Sequence, residues 1–283
     1  MIDREWIVKK TLFVLAMITV LGIILIIFFV ARESVPAFTE AGPANLFSAT
    51  WNPQSGQYGM LIFLAGTLAT TVGGLLLGTP LAIGSALFLT QMAPRRVRSI
   101  ATRGVELLAG VPSIVLGWLG FTVMVPWIRS ATNSTGTGVL AASIILAIMV
   151  IPTIATISKD ALEAVPESHI QAALAMGATR WQMIRRVLLP AARPGLLVAI
   201  ILGMGRAIGE TMAVALVIGP ATAFPTSLTT PTHTMTTKIL IEMGESTGVQ
   251  RSSLFAMGLV LLLLAMLLIL LVRAVTRQRE AAR

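Results

Sequence analysis

The sequence predicts an all-α integral membrane protein with six transmembrane helices, and three observations predict it. Of 283 residues, 55% are hydrophobic and only 12% charged, with a mean hydropathy of +0.87. Apolar runs of about 20 residues, the length a helix needs to cross roughly 30 Å of hydrocarbon, recur along the chain. The lysines and arginines between them crowd into alternate loops, which marks membrane orientation rather than a nucleic-acid surface. The formal charge of +9 therefore needs no nucleic acid. The absence of cysteine excludes disulfides and thiolate metal sites, and His169 and His233 have no partner at metal-ligand spacing. Neither a metal, a cofactor nor a catalytic constellation is expected.

Residues 1–58 hold a polar head with Arg4, Lys9 and Lys10, a first span from Thr11 to Ala31, and a loop from Arg32 to Tyr58. The apolar run exceeds the roughly 7–15 residues of a signal-peptide core, which favours a retained helix over a cleaved leader. Pro36, Pro43 and Pro53 keep the loop irregular, and Trp51 and Tyr58 suit a headgroup interface. Residues 59–272 supply five further spans. The second, about Gly59 to Gln91, is rich in small residues such as Gly66, Thr67, Gly73, Gly74 and Gly78 that let helices approach closely in lipid, and an interruption is expected near Pro80. The third runs from Leu107 to Ile128. Its start, Glu106 to Ser113, carries Gly110 and Pro112, so its backbone must be covered by protein or by a water-filled cavity, as a pathway wall or as a packed kink. The fourth span is Val139 to Ile157, the fifth Pro194 to about Gly219, the sixth Leu254 to Val272. A Thr- and Pro-rich loop, Pro220 to Ser253, joins the last two, with a short helix expected at Thr237 to Met243. Residues 273–283 form a basic tail.

The head holds three lysines and arginines, residues 92–106 four, 158–193 five and the tail four, against Arg32, Arg129, Lys238 and Arg251 in the opposite loops. Positive charge favours the cytoplasmic side, so both termini and the segment 158–193 are expected there.

The centre of that segment, Gln171 to Pro190, reads as two short helices joined by a hinge. Pro166 opens the first, where a missing N–H is no loss, and Gly177 closes it in the left-handed conformation. Thr179 caps the second, with Gln182 completing a capping box. Ile170 and Leu174 share one helical face, and Trp181, Ile184 and Leu188 another, so each helix offers an apolar stripe that needs a partner.

This stretch resembles the EAA loop of the membrane subunits of bacterial ABC importers. Gln171-Ala172-Ala173, Gly177 and Val187-Leu188-Leu189-Pro190 stand at that motif's spacing. Gln171 replaces the usual glutamate, so a salt bridge from that position is not expected, while a hydrogen bond is. The resemblance implies a type I-like permease fold with a cytoplasmic coupling loop, whose Gln171, Ala172, Ala173, Gly177, Thr179, Leu189 and Pro190 dock on an ATP-hydrolysing subunit. The chain has no glycine-rich loop ending in Gly-Lys-Ser or Gly-Lys-Thr, so ATP is expected to bind a separate chain and no enzyme activity is expected of this one.

A charged pair lies in the fifth span. Arg206 and Glu210, four residues apart, are expected on one helical face. At about 1.5 Å per residue Arg206 lies roughly 17 Å beyond Gly195, near the bilayer centre. A charge there costs about 2.5–3.5 kcal/mol or more and turns towards a bundle interior or an aqueous path. Two roles fit these residues alone. One is a structural pair in which each charge offsets the other's desolvation. The other is an anion guide, in which the guanidinium presents fixed donors to an oxyanion and Glu210 limits how tightly it is held.

The run Arg206-x-x-Gly209-Glu210-Thr211 resembles the permeases of bacterial phosphate ABC importers. The similarity extends through Trp51-x-Pro53, Tyr58-Gly59, Gly66-Thr67-Leu68, Glu106 to Ser113 and Ala173 to Trp181. Of the two permease types that pair in such importers, the early segments and Gly209-Glu210-Thr211-Met212-Ala213 look like the PstC type. The resemblance implies a multi-pass protein of the bacterial inner membrane, in contact with membrane lipid, that forms half of a phosphate pathway with Arg206, Glu210 and Thr211 on it. It also implies a PstA-type second permease, a dimer of ATP-binding subunits and an extracytoplasmic phosphate-binding protein as partners. A permease for another oxyanion, such as sulfate or molybdate, and a secondary transporter are the rival readings.

Overall fold

The computed structural model describes residues 4–280; of the expected basic tail, 281–283 lie outside the described residues. Helix α1 (Arg4–Pro36) passes through a π-helical turn, Ala37–Ala41, to α2 (Pro43–Leu46). A short antiparallel hairpin follows, β1 (Trp51–Asn52) and β2 (Gln57–Tyr58), pairing Trp51 with Tyr58. Then come α3 (Leu61–Gln91), α4 (Arg95–Ala109), α5 (Ser113–Leu119), α6 (Val125–Thr132), α7 (Val139–Glu163), α8 (Glu167–Ala175), α9 (Arg180–Met183), α10 (Leu189–Gly209), α11 (Met212–Val217), α12 (Met235–Glu242) and α13 (Gly248–Glu280).

Among the described residues, six helical stretches are long and apolar enough to cross a membrane: Val8–Ala41, Leu61–Gln91, Ser113–Thr132, Val139–Glu163, Arg180–Gly209 and Gly248–Leu270. They overlie the six expected spans, with boundaries that differ for physical reasons. α3 continues through Pro80, because one lost ladder hydrogen bond does not break a helix held by many others. Leu107 to Ala109 belong to α4 and not to the third span. Gly110 ends one helix, and Pro112, extended at ψ 134, starts the next. α4 itself keeps Arg95, Arg96 and Arg103 exposed.

The contacts divide the chain into two units. One comprises the described residues up to Leu61 together with Ile241–Leu263. Here Phe29 of α1 meets Phe255 of α13 edge to face, with ring centroids 5.8 Å apart. Trp51 meets Tyr58 in the same manner at 5.9 Å and donates from Nε1 to Glu242 Oε2 at 3.1 Å. Trp51 is therefore part of this unit's interior. The hairpin turns the indole inward, where its N–H has the partner a buried indole requires.

The other unit comprises Ile62–Leu240 and the described residues from Leu264 on. α7 is its central element. Leu146, Met149, Val150 and Ile154 form an apolar cluster with Ala82 of α3, Ala199 and Ala207 of α10, and Val214 and Val217 of α11. Small residues bring α10 against α7: a Cβ on Gly195 would come within 2.4 Å of the Ala161 Cβ, and one on Gly203 within 2.5 Å of the Ile154 side chain. This is the close approach that membrane helices use in place of a hydrophobic driving force.

The Thr- and Pro-rich loop differs most from expectation. Its residues 232–238 are buried. The Met235 N–H donates to Thr67 Oγ1 of α3 at 3.0 Å, the Thr234 N–H to Thr237 Oγ1 at 2.9 Å, and Lys238 lies 5.3 Å from the Phe63 ring centre. Hydroxyls here do what water does for an exposed loop, satisfying backbone groups that burial would otherwise orphan. α12 accordingly starts at Met235, before the expected Thr237.

Candidate functional site

Two regions hold the residues that the sequence singled out. The first is the segment between α7 and α10. Pro166 stands one residue before α8, at its N-cap. At the other end Gly177 adopts φ +82. Its N–H donates to the Leu174 carbonyl at 3.0 Å, and that of Ala178 to the Ala173 carbonyl at 3.2 Å, the paired bonds that close a helix through a left-handed residue. Thr179 caps α9 as its sequence predicts: Oγ1 accepts from the Gln182 N–H at 3.3 Å, and Gln182 Oε1 from the Thr179 N–H at 2.9 Å. The second short helix is not separate, however. A π-helical turn, Ile184–Leu188, joins α9 to α10, with the Leu189 N–H donating to Ile184. That wide turn lets Pro190 enter near the start of α10 without breaking the helix.

The expected apolar stripes divide between two surfaces. Ile170, Ala173 and Leu189 pack on a cluster built from Leu162, Ile184 and Leu188. Leu174, Met176 at 89% and Trp181 at 62% stay exposed, beside exposed Gln171, Ala172, Gly177 and Thr179. Gln171 Nε2 donates to Glu167 Oε1 at 3.2 Å, a bond that a glutamate could not donate. At the base of the segment, Arg98 of α4 and Lys159 both pair with Glu163.

The second region is the end of α10. The expected continuous fifth span breaks there: α10 stops at Gly209, Glu210 is extended at φ −69, ψ 126, and α11 resumes at Met212. Glycines at 205 and 209 weaken the helix, and a carboxylate just beyond can cap a new one. Glu210 does so. Its Oε1 accepts from the Ala213 N–H at 3.2 Å, while its carbonyl accepts from Thr236 Oγ1 at 3.1 Å. Glu210 thus leaves the helical face it was expected to share with Arg206, and no ion pair joins the two among the described residues. Each charge instead sits at a helix end of opposite polarity, Arg206 in the last turn of α10 and Glu210 before the first turn of α11. Thr211 Oγ1 donates to the Gly209 carbonyl at 3.1 Å, satisfying one acceptor at the break.

Arg206 is half-buried. Its Nη1 donates to Thr153 Oγ1 on α7 at 3.3 Å, which engages one of its five N–H donors. Thr153 carried no signal in the sequence beyond following a mid-helix proline, and tertiary packing alone brings it to Arg206. A Cβ on Gly205 or Gly209 would meet nothing within 4 Å, and both glycines are exposed with Leu202. This face of α10 is therefore left open by the chain's own packing. Its chemistry is that of fixed cationic donors beside small residues.

Residues 78–280 match the family model described as binding-protein-dependent transport system inner membrane component. The chain is 40% identical over 273 residues to the probable ABC transporter permease protein YqgH of Bacillus subtilis, covering 94% of this chain and 88% of that one. It is 36% identical over 266 residues to the phosphate transport system permease protein PstC of Mesorhizobium japonicum (87% and 81% covered), and 33% identical over 297 residues to PstC of Haemophilus influenzae (96% and 93% covered). Among solved structures it is similar to a chain of a bacterial ABC transporter involved in the import of the acidic polysaccharide alginate, at TM-score 0.65 and 18% identity over 98% of this chain and 99% of that one. It is also similar to a chain of the inward-facing MetNI methionine ABC transporter, at TM-score 0.62 and 21% identity over 81% and 99%. These two speak for the fold alone.

Proposed function

This chain belongs to the family of binding-protein-dependent transport system inner membrane components, and from that premise we propose that it is the PstC-type permease subunit of an ATP-driven inorganic phosphate importer. It is a multi-pass inner-membrane protein that works with another permease, an ATPase and a periplasmic binding protein. The second permease is of the PstA type in this reading, and the binding protein delivers phosphate. Both termini and the α8–α9 segment face the cytoplasm, in keeping with the distribution of lysine and arginine.

The observation that carries the substrate reading is Arg206, a half-buried guanidinium in the last turn of a membrane-length helix, at a helix break, with one hydrogen-bond partner among the described residues and a glycine-lined open face. Fixed planar donors suit a tetrahedral oxyanion. The open face supports a pathway that one chain lines only in part. Glu210, held as a cap next to the break, opposes tight anion binding and favours passage over capture. On the cytoplasmic side, exposed Leu174, Met176 and Trp181 supply the apolar surface for the ATPase, and Gln171, Ala172, Gly177 and Thr179 shape it.

The experiment is copurification of the chain with everything it binds, followed by reconstitution in liposomes with the binding protein. Phosphate, and not sulfate, is expected to raise ATP hydrolysis and to accumulate. The chain alone is expected to transport nothing; energised uptake by the chain alone refutes the proposal.

A further inference from the structure

Thr153 lies on α7 directly after Pro152 and is half-buried. Helical threonines commonly donate to the carbonyl four residues earlier, and Thr67, Thr70, Thr90 and Thr122 do so here at 2.8 to 3.0 Å. Thr153 does not. Its Oγ1 accepts from Arg206 Nη1 at 3.3 Å, and no acceptor takes its proton among the described residues. Ser143 and Ser158 of α7 also leave their hydroxyls unpaired, but both are sealed in the interior, whereas Thr153 stands beside a cation and keeps part of its surface open. A hydroxyl that accepts from a guanidinium turns its own proton away from that cation. Thr153 and Arg206 therefore present an O–H and the remaining N–H groups together, from two helices. Their spacing is fixed next door, where Ile154 packs directly on Gly203.

We propose that Thr153 is a second contact residue for the oxyanion: its hydroxyl donates to one anion oxygen while Arg206 donates to others, and by accepting from Nη1 it also positions the guanidinium. This rests on the reading of Arg206 as an anion guide.

The test uses the assembled importer in liposomes, with Thr153→Val, Thr153→Ala and Thr153→Ser. Phosphate uptake is measured per assembled complex, together with phosphate carried per ATP hydrolysed. Loss of a hydrogen bond to a charged group corresponds to about tenfold to a hundredfold. Val and Ala are expected to lose uptake by that factor and to lower the phosphate carried per ATP; Ser is expected to restore most of both. Uptake by Val and Ala within about twofold of wild type, or an equal loss in Ser, overturns the proposal. Retained uptake in Arg206→Gln overturns the guide reading and this proposal with it. A wild-type complex that carries sulfate but not phosphate overturns the phosphate reading alone, and the same series measured with sulfate then decides Thr153.

Discussion

Replacing Gly177 separates the shape of the α8–α9 corner from its mere presence. Gly177 adopts φ +82 and closes α8 through the two backbone bonds to Leu174 and Ala173. A Cβ there would meet nothing within 4 Å, so any penalty comes from the backbone and not from a clash. For an L-residue the left-handed conformation costs roughly 1–2 kcal/mol, which shifts the corner's equilibrium by about 5- to 30-fold. Asparagine visits this conformation most readily among the other residues, and a β-branched residue least. α8 buries little, since only Ile170 and Ala173 pack inward, so an opened corner leaves the membrane helices in place. Gly177→Val is accordingly expected to lower ATPase copurification and transport by about that factor at unchanged amounts of membrane-inserted chain, with Gly177→Asn close to wild type. Equal transport by the Val and Asn variants would refute the idea that coupling depends on this corner.

Four further predictions concern other parts of the chain. Arg206→Gln should abolish phosphate uptake while assembly persists, and combination with Glu210→Gln should stay inactive; recovery in the double variant would restore the structural-pair reading. Glu210→Gln alone should leave the melting temperature of the complex nearly unchanged, because its amide oxygen still caps α11, whereas Glu210→Ala should cost about 0.5–2 kcal/mol of stability in thermal unfolding of the complex. Single cysteines at Ser134 and Thr229 should be labelled from outside by an impermeant thiol reagent, and one at Thr179 should not. The first two loops lie together, as the bond from the Leu140 N–H to the Leu228 carbonyl requires, so labelling of one without the other would contradict the fold. Gly203→Val should destabilise the assembled complex by about 1–3 kcal/mol, because its side chain would enter Ile154; an unchanged melting temperature would argue against that contact.

Features governed by neighbours in sequence were legible without a structure. The capping box of Thr179 and Gln182 and the left-handed Gly177 depend on a few adjacent residues, and both are present as expected. The six spans follow from length and apolarity, which lipid enforces locally. What escaped was decided by tertiary packing. Spacing placed Arg206 and Glu210 on one face only if the helix continued, and it ends at Gly209, where Thr236 reaches the Glu210 carbonyl from a distant loop. The burial of Trp51 escaped because its partner Glu242 lies 191 residues away. Thr153 was invisible for the same reason.

The burial of residues 232–238 bears on how the chain can be engineered and probed. Threonine, histidine and lysine give that stretch the composition of a tolerant surface connector, the usual place to insert an epitope or a protease site. Its backbone is nonetheless committed to α3 and to its own hydroxyls, so its amides should resist deuterium exchange like those of a core helix, and an insertion there should act as a core lesion. Exposed Phe224 and Leu228 mark the part of the same connection where a tag or an antibody has room.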